Sequence, residues 1–194
     1  FLKISKKKKD MSYNYSFEGS LDNFNYVQFE NDDFPILLNE FNGELVLSNN
    51  AIKIEGIGAI NGSNSVIKIL VDKENILTAT IDAQAKPSSF NFLGKYNILQ
   101  QGSSKLQIRI TKNIDSRKWK ANFHANLFSN EITLNIINYS KPINRRGSIS
   151  GNLYFDGLEL KKVDKLNLLT EELLVSANLQ FKSDSQLESI FVDR

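Results

Sequence analysis

The sequence contains a single histidine, His124, and no cysteine, which limits the chemistry open to its side chains. A hydrolytic triad or a zinc site needs several partners of these types. Disulfides, thiolate metal ligands and cysteine nucleophiles are excluded as well. His124 shares one side of an alternating run with Lys120, Asn122 and Asn126, and we expect it to face solvent.

Two glycine-rich stretches resemble functional motifs without matching them. In residues 56–62, Asn61 stands where a dinucleotide-binding loop needs its third glycine, and a further predicted strand follows instead of a helix. In residues 147–151, Ile149 stands where a nucleophile elbow needs its serine. Because glycines inside strands mark bulges or bends, we expect residues 56–62 to curve the chain.

The adjacent carboxylates Asp32-Asp33 and Glu171-Glu172 are predicted to be hydrated acids in turns. The residues therefore predict no catalytic group, no metal site and no cofactor. They favour a protein that is not an enzyme.

Charge and aromatic content give no indication of a nucleic-acid partner. The 24 basic and 22 acidic residues are interspersed, for a formal charge of +2. Trp119 and Phe123 share sides with aliphatic residues rather than with lysines. The run Lys6 to Lys9 is interpreted as a basic linker or the edge of the segment over residues 1–12; contact with anionic lipid headgroups is the alternative.

The dominant pattern is strict alternation of apolar and polar residues, which indicates strands with one apolar side. Leu77, Ala79, Ile81, Ala83 and Ala85 give the clearest example. Similar runs are interpreted as further strands: Tyr13 to Glu18, Phe24 to Glu30, Phe41 to Leu47, Ile52 to Ile60, Val66 to Val71, Leu106 to Ile110, Trp119 to Leu127, Ile132 to Ile136, Ile149 to Phe155 and Val175 to Phe181.

Short turns between consecutive strands predict a long antiparallel meander, so the fold class is all-β. Residues 13–192 are predicted to form one continuous segment, with N-terminal strands in 13–85 and C-terminal strands in 102–192. A short helical connection is predicted near residues 88–100. The chain starts at Phe1 and its last residues have the pattern of a strand cut in mid-run, from which we expect a piece of a longer protein.

A repeated apolar side has three physical explanations. Two such sides bury each other in a β-sandwich, an outer-membrane barrel points them at lipid, and an open curved sheet uses them to line a groove for an apolar ligand. The sequence pattern leaves these alternatives open.

The succession of strands resembles the AsmA-like proteins of the Gram-negative envelope, a group that includes the TamB and YhdP types. The resemblance depends on glycine followed by alternating aliphatics, a turn, and more alternating aliphatics, as in residues 42–54, 62–85, 102–108, 147–153 and 174–181. It implies an antiparallel sheet folded lengthwise into an open trough. It also implies a periplasmic protein, anchored in the inner membrane outside this segment, that carries phospholipid or another acyl-chain lipid.

The lead hypothesis from sequence is therefore a lipid-carrying β-groove segment. The alternatives are a non-transporting structural or assembly module of the envelope and a fragment of an outer-membrane barrel. The predicted groove-lining residues are Leu45, Leu47, Ile54, Leu77, Ala79, Ile81, Leu106, Ile108, Ile110, Trp119, Phe123, Leu134, Leu153, Phe155 and Leu179.

Overall fold

The structure is a computed structural model that describes residues 2–6, 13–28, 36–86, 102–134, 138–182 and 186–192. All regular elements within these ranges are β-strands. They are β1 (Leu2–Lys6), β2 (Tyr13–Gln28), β3 (Ile36–Ser48), β4 (Ala51–Ile60), β5 (Ser63–Asp72), β6 (Ile76–Ala85), β7 (Ser104–Asn113), β8 (Lys118–Asn126), β9 (Ile132–Leu134), β10 (Tyr139–Lys141), β11 (Gly147–Asp156), β12 (Glu159–Thr170), β13 (Leu174–Phe181) and β14 (Leu187–Val192).

Twelve of these strands form one sheet in the order β1-β2-β3-β4-β5-β6-β7-β8-β11-β12-β13-β14. Every neighbouring pair is antiparallel, and β1 and β14 lie at the two ends of the order. The predicted all-β antiparallel meander is confirmed. The helical connection predicted near residues 88–100 lies outside the described residues.

The turn between β4 and β5 shows how the sequence directs this meander. Ile60 pairs with Ser63, and the two residues between them, Asn61 and Gly62, have φ values of 46° and 75°. Two central residues with positive φ define the type I′ turn, whose twist matches that of the flanking strands. The Asn-Gly pair therefore joins β4 to β5 in register.

Residues 1–12, predicted as a basic linker, contain a strand. Leu2–Lys6 forms β1, which pairs with β2 from Leu2 opposite Phe17 to Lys6 opposite Tyr13. Residues 7–12 lie outside the described part of the chain.

The strands β9 and β10 form a separate two-stranded hairpin inserted between β8 and β11. The sequence predicted residues 132–136 as a further strand of the continuous run. The structure instead pairs β8 directly with β11, from Asn126 opposite Ser148 to Lys118 opposite Asp156. The hairpin leaves the sheet here and, as described below, packs its apolar residues against the apolar side of the sheet.

Three β-bulges share one sequence signature and one hydrogen-bond pattern. The signature is Asp or Asn, any residue, Phe or Leu, then Asn, and it occurs at residues 22–25, 39–42 and 164–167. Its second residue has a positive φ, which is 50° at Asn23, 53° at Glu40 and 51° at Lys165. In each case the Nδ2 of the terminal asparagine donates to the carbonyl of that residue.

The first two bulges face each other across β2 and β3 and stabilise each other. The backbone N–H of Asn23 donates to Asn42 Oδ1, and that of Glu40 donates to Asn25 Oδ1, both at 3.0 Å. The third uses a neighbouring strand in the same way, with Lys165 N–H donating to Asn178 Oδ1 at 3.0 Å. Side-chain amides thus replace the ladder bonds that each bulge interrupts.

The bulge at Asn23 explains one wrong strand prediction. The sequence indicated two separate strands, Tyr13 to Glu18 and Phe24 to Glu30. The structure contains one strand, β2, whose pairing with β3 changes register between Leu21 and Phe24 but does not stop. The interruption of the alternation was an inserted residue, not a turn.

We predict that Asn42→Ala lowers the free energy of unfolding by about 1–3 kcal/mol, because it removes the acceptor for Asn23 N–H and the donor to the Glu40 carbonyl. Asn42→Asp retains the acceptor and is expected to lose less. Urea unfolding followed by circular dichroism measures both. Equal stability of Asn42→Ala and the wild type would show that the asparagine contributes nothing to the bulge.

Candidate functional site

The apolar side chains of the sheet line up in rows that cross it. Residues directly opposite each other in antiparallel strands point to the same side of a sheet, so the register fixes which residues share a row. Four rows follow from the pairing of β3 through β14. We call this side of the sheet the apolar face.

The rim row and the centre row are the two longest rows. The rim row contains Leu47, Ile52, Val71, Leu77, Lys112, Trp119, Phe155 and Leu160. The centre row contains Leu45, Ile54, Ile69, Ala79, Ile110, Ala121, Leu153, Val163, Leu179 and Ile190. At about 4.8 Å between strands, the centre row extends roughly 40 Å along the sheet.

Two further rows lie on the other side of the centre row, each about 7 Å from the next. The third row contains Ile67, Ile81, Ile108 and Phe123, with Gly43 and Gly56 at one end and Gly151 at the other. The hairpin row contains Ser65, Ala83, Leu106, Ala125, Ile149, Leu168 and Val175.

Fourteen of the fifteen predicted lining residues lie in these four rows, and Leu134 does not. Leu134 belongs to β9 and contacts the apolar face from the hairpin. The prediction omitted several members of the rows, among them Ile52, Ile69, Val71, Ala121 and Val163. The alternation that selected their neighbours would have found them.

Accessibility changes from row to row along the strands. Every member of the rim row is at least partly exposed, whereas Leu106, Ala125 and Ile149 of the hairpin row are buried. In the centre row only Ala79, Ala121 and Val163 are buried, while larger members such as Ile54 and Ile110 remain partly exposed. The rim and centre rows together form a partly open apolar strip, which we call the open strip.

Aromatic rings cover the glycines of the apolar face. A Cβ on Gly43 or Gly56 would lie 2.8 Å or 2.7 Å from the ring of Phe41, and one on Gly151 would lie 2.9 Å from the ring of Phe123. Each ring therefore occupies the space that a side chain would fill. Phe41 is only 2% exposed for this reason. The sequence indicated a bend at residues 56–62. Close approach of Phe41 is the physical reason for Gly56 and Gly58, whereas Gly62 belongs to the turn between β4 and β5.

Trp119 and Phe155 mark the rim row on β8 and β11. Their rings stack with centroids 3.9 Å apart and an angle of 4° between their planes. The indole Nε1–H donates to the carbonyl of Gly157 at 2.6 Å. This bond satisfies the polar atom of the indole, and the partly exposed rings remain available for apolar contact.

The opposite side of the sheet is polar and carries ordinary surface interactions. His124 is exposed there, with Gln107 and Ser150 as its cross-strand neighbours. Lys68 pairs with Glu55 at 2.5 Å. Over the described ranges, no group of three or more His, Asp or Glu side chains is arranged to hold a metal ion.

The hairpin β9–β10 closes the apolar face at the hairpin row. Ile132 is completely buried in one cluster with Leu106, Phe123, Ala125 and Ile149, and Leu134 packs against the same cluster. The loop from β8 to β9 is fixed by a 2.6 Å hydrogen bond between the buried Ser104 hydroxyl and Asn130 Oδ1.

A buried lysine holds the base of the hairpin. Lys141 is 2% exposed, and its Nζ donates to the carbonyls of Asn130, Pro142 and Arg145 at 2.7, 3.0 and 3.1 Å. Burial lowers the pKa of Lys141, and the carboxylate of Glu171 acts in the opposite direction. Its ammonium group thus ties three loop carbonyls together beneath the hairpin.

We predict that Lys141→Met lowers the free energy of unfolding by about 1–3 kcal/mol, because it leaves the buried Asn130 carbonyl without its charged donor. Lys105→Met is the control, since Lys105 is exposed. Thermal unfolding compares the two variants with the wild type. A melting temperature of Lys141→Met equal to that of Lys105→Met would contradict a stabilising role of the buried Lys141 ammonium.

The stability difference should also depend on pH. The folded-state pKa of Lys141 lies below its ordinary value of 10.5, so unfolding takes up a proton in the window between the two values. Wild-type stability relative to Lys141→Met is therefore expected to rise as the pH increases through that window. Denaturant titrations of both proteins at several alkaline pH values measure this; a constant difference would contradict it.

No family model, no curated protein and no solved structure matches this chain. The described residues contain no helix of the length and apolarity required to span a membrane.

Proposed function

We propose that the chain is a lipid-carrying segment of an AsmA-like envelope protein, in which acyl chains lie along the open strip. The observation that carries the proposal is the partial exposure of large apolar side chains in consecutive strands of one face. Leu45, Ile54 and Ile69 follow one another in the centre row on β3, β4 and β5, and Ile110 and Leu153 belong to the same row on β7 and β11. None of these five is buried, whereas the small residues Ala79 and Ala121 that lie between them are.

The physical argument is that an ordinary core does not leave such a row partly exposed over most of a sheet. A contiguous exposed apolar surface larger than a few hundred Å² on a protein usually serves an apolar ligand, a partner or a membrane. Acyl chains need only a continuous apolar surface, with burial worth about 25 cal/mol per Å². Headgroups can remain in water beside the rim row, where Lys112 lies between Leu77 and Trp119.

In this proposal the ligand is phospholipid or another acyl-chain lipid, and no nucleic acid takes part. The segment works in the periplasm between the inner and outer membranes of a Gram-negative bacterium. The parent protein supplies an inner-membrane anchor outside this segment. Transport along the strip requires no bond to be made or broken, so the proposed role is not enzymatic.

The test is native mass spectrometry of protein purified from a bacterial host, with a matched pair of variants. Ile54→Asp places a carboxylate in the centre row, whereas Ile57→Asp makes the same change on the polar side of the same strand, where Ile57 is 61% exposed. We expect bound lipid on the wild type and on Ile57→Asp, and its loss from Ile54→Asp.

Circular dichroism and thermal unfolding must show that Ile54→Asp is folded. If it is not, Ile54→Thr replaces it with a smaller polar change at the same position. Absence of any bound lipid from the wild type, or equal lipid on the two aspartate variants, would overturn the proposal.

A second candidate is a non-transporting structural module, and the hairpin favours it. Leu127 and Ile132 are as buried as in any closed core, so this part of the apolar face needs no ligand. If the whole apolar face is a closed core of this kind, Ile108→Asp unfolds the protein and the wild type binds no lipid. Lipid bound to folded wild type would exclude this candidate.

A further inference from the structure

We infer that the β9–β10 hairpin sets the width of the acyl-binding strip and thereby limits how many acyl chains the segment holds. This inference depends on the function proposed above. It concerns the boundary between the open strip and the part of the other two rows that the hairpin covers, at Leu106, Phe123, Ala125 and Ile149.

The first argument is that the hairpin occupies a surface equivalent to the open strip. On β7, β8 and β11 the same alternation continues from the centre row into the third and hairpin rows. Leu106, Phe123, Ala125 and Ile149 in these rows are apolar, as their neighbours in the centre row are. They differ in being covered, since Ile132 is buried in the same cluster.

The second argument is that the hairpin is an addition to the sheet and not a part of its pairing. Asn126 at the end of β8 is directly opposite Ser148 on β11, so the two strands would form a complete hairpin without residues 127–147. The insertion also makes side-chain hydrogen bonds to residues of the sheet from Asn130 and Tyr139. Tyr139 and Thr170 share a hydrogen bond of 2.6 Å between their hydroxyls, and Ser104 bonds to Asn130.

The third argument concerns the polar groups at this boundary. Lys141 carries the only side-chain ammonium that is buried within the described residues, and all three of its bonds go to loop carbonyls around the hairpin. A buried ammonium is costly unless it is fully bonded. These bonds favour one fixed position of the hairpin. A hairpin in a fixed position gives the open strip a defined width.

The experiment removes the β9–β10 hairpin from the protein. In the excision variant an Asn-Gly turn replaces residues 127–147 and joins Asn126 to Ser148, the shortest connection compatible with their pairing. The probe is palmitic acid below its critical micelle concentration, and native mass spectrometry counts the bound molecules. Because Leu106, Phe123, Ala125 and Ile149 become accessible, we expect more bound chains than on the wild type, in proportion to the added accessible apolar area.

Circular dichroism checks that the excision variant is folded. If it is not, Lys141→Met provides the test, with hydrogen exchange of residues 132–134 as the measure of hairpin release; more bound palmitate together with faster exchange supports the inference. An unchanged number of bound chains on the folded excision variant, or on Lys141→Met, would overturn it. Failure of the proposed function looks different, since neither the wild type nor either variant would then bind palmitate.

Discussion

The structure depends on one constraint, which is that the apolar face of a single sheet has to be shielded from water. The described strands form no second layer of equal size that would cover this face. Twelve of the described strands belong to this sheet, and the two remaining strands cover only its hairpin side. Elsewhere on this face, the rings of Phe41 and Phe123 lie over glycines and cover the backbone there. The bulges at Asn23, Glu40 and Lys165 supply residues with positive φ that bend and twist the strands. The graded exposure from rim row to hairpin row follows from this constraint.

The same constraint separates the two sides of the sheet in function. The polar side carries ion pairs between neighbouring strands, as in the Lys68–Glu55 pair of β5 and β4. Within the described part of the chain, no second layer of strands covers the apolar side along the rim and centre rows, so an apolar ligand that covers these rows lowers the free energy. Trp119, with its indole N–H already bonded to Gly157, is placed where it can contact such a ligand without losing a hydrogen bond. This is the physical basis for proposing lipid as the occupant.

Much of this arrangement could be predicted from the sequence because alternation reports directly on which side a residue faces. Leu77, Ala79 and Ile81 were assigned to one face by period alone, and the register places them in three rows of the apolar face. Long-range packing could not be predicted in this way. Leu134 has the same local pattern as a sheet residue, and only its pairing with Tyr139 reveals that it belongs to the hairpin. The burial of Lys141 was not predicted from the sequence, because it depends on how the loop after β10 folds back to present the Pro142 and Arg145 carbonyls beside that of Asn130. The bulge signature at residues 22–25, 39–42 and 164–167 was visible in the sequence, and recognising it would have kept β2 in one piece.

The central claim is that the open strip is accessible to acyl chains, and fluorescence of the unmodified protein tests it most directly. Trp119 is the only tryptophan and lies in the rim row, so all indole emission reports on this position. Titration with a palmitic acid brominated along its chain is expected to quench the emission saturably, because bromine must come into close contact with the ring. Unbrominated palmitic acid serves as the control and should compete with the quenching. Emission that stays unchanged up to the solubility limit of the brominated acid, in protein that circular dichroism shows to be folded, would contradict the account.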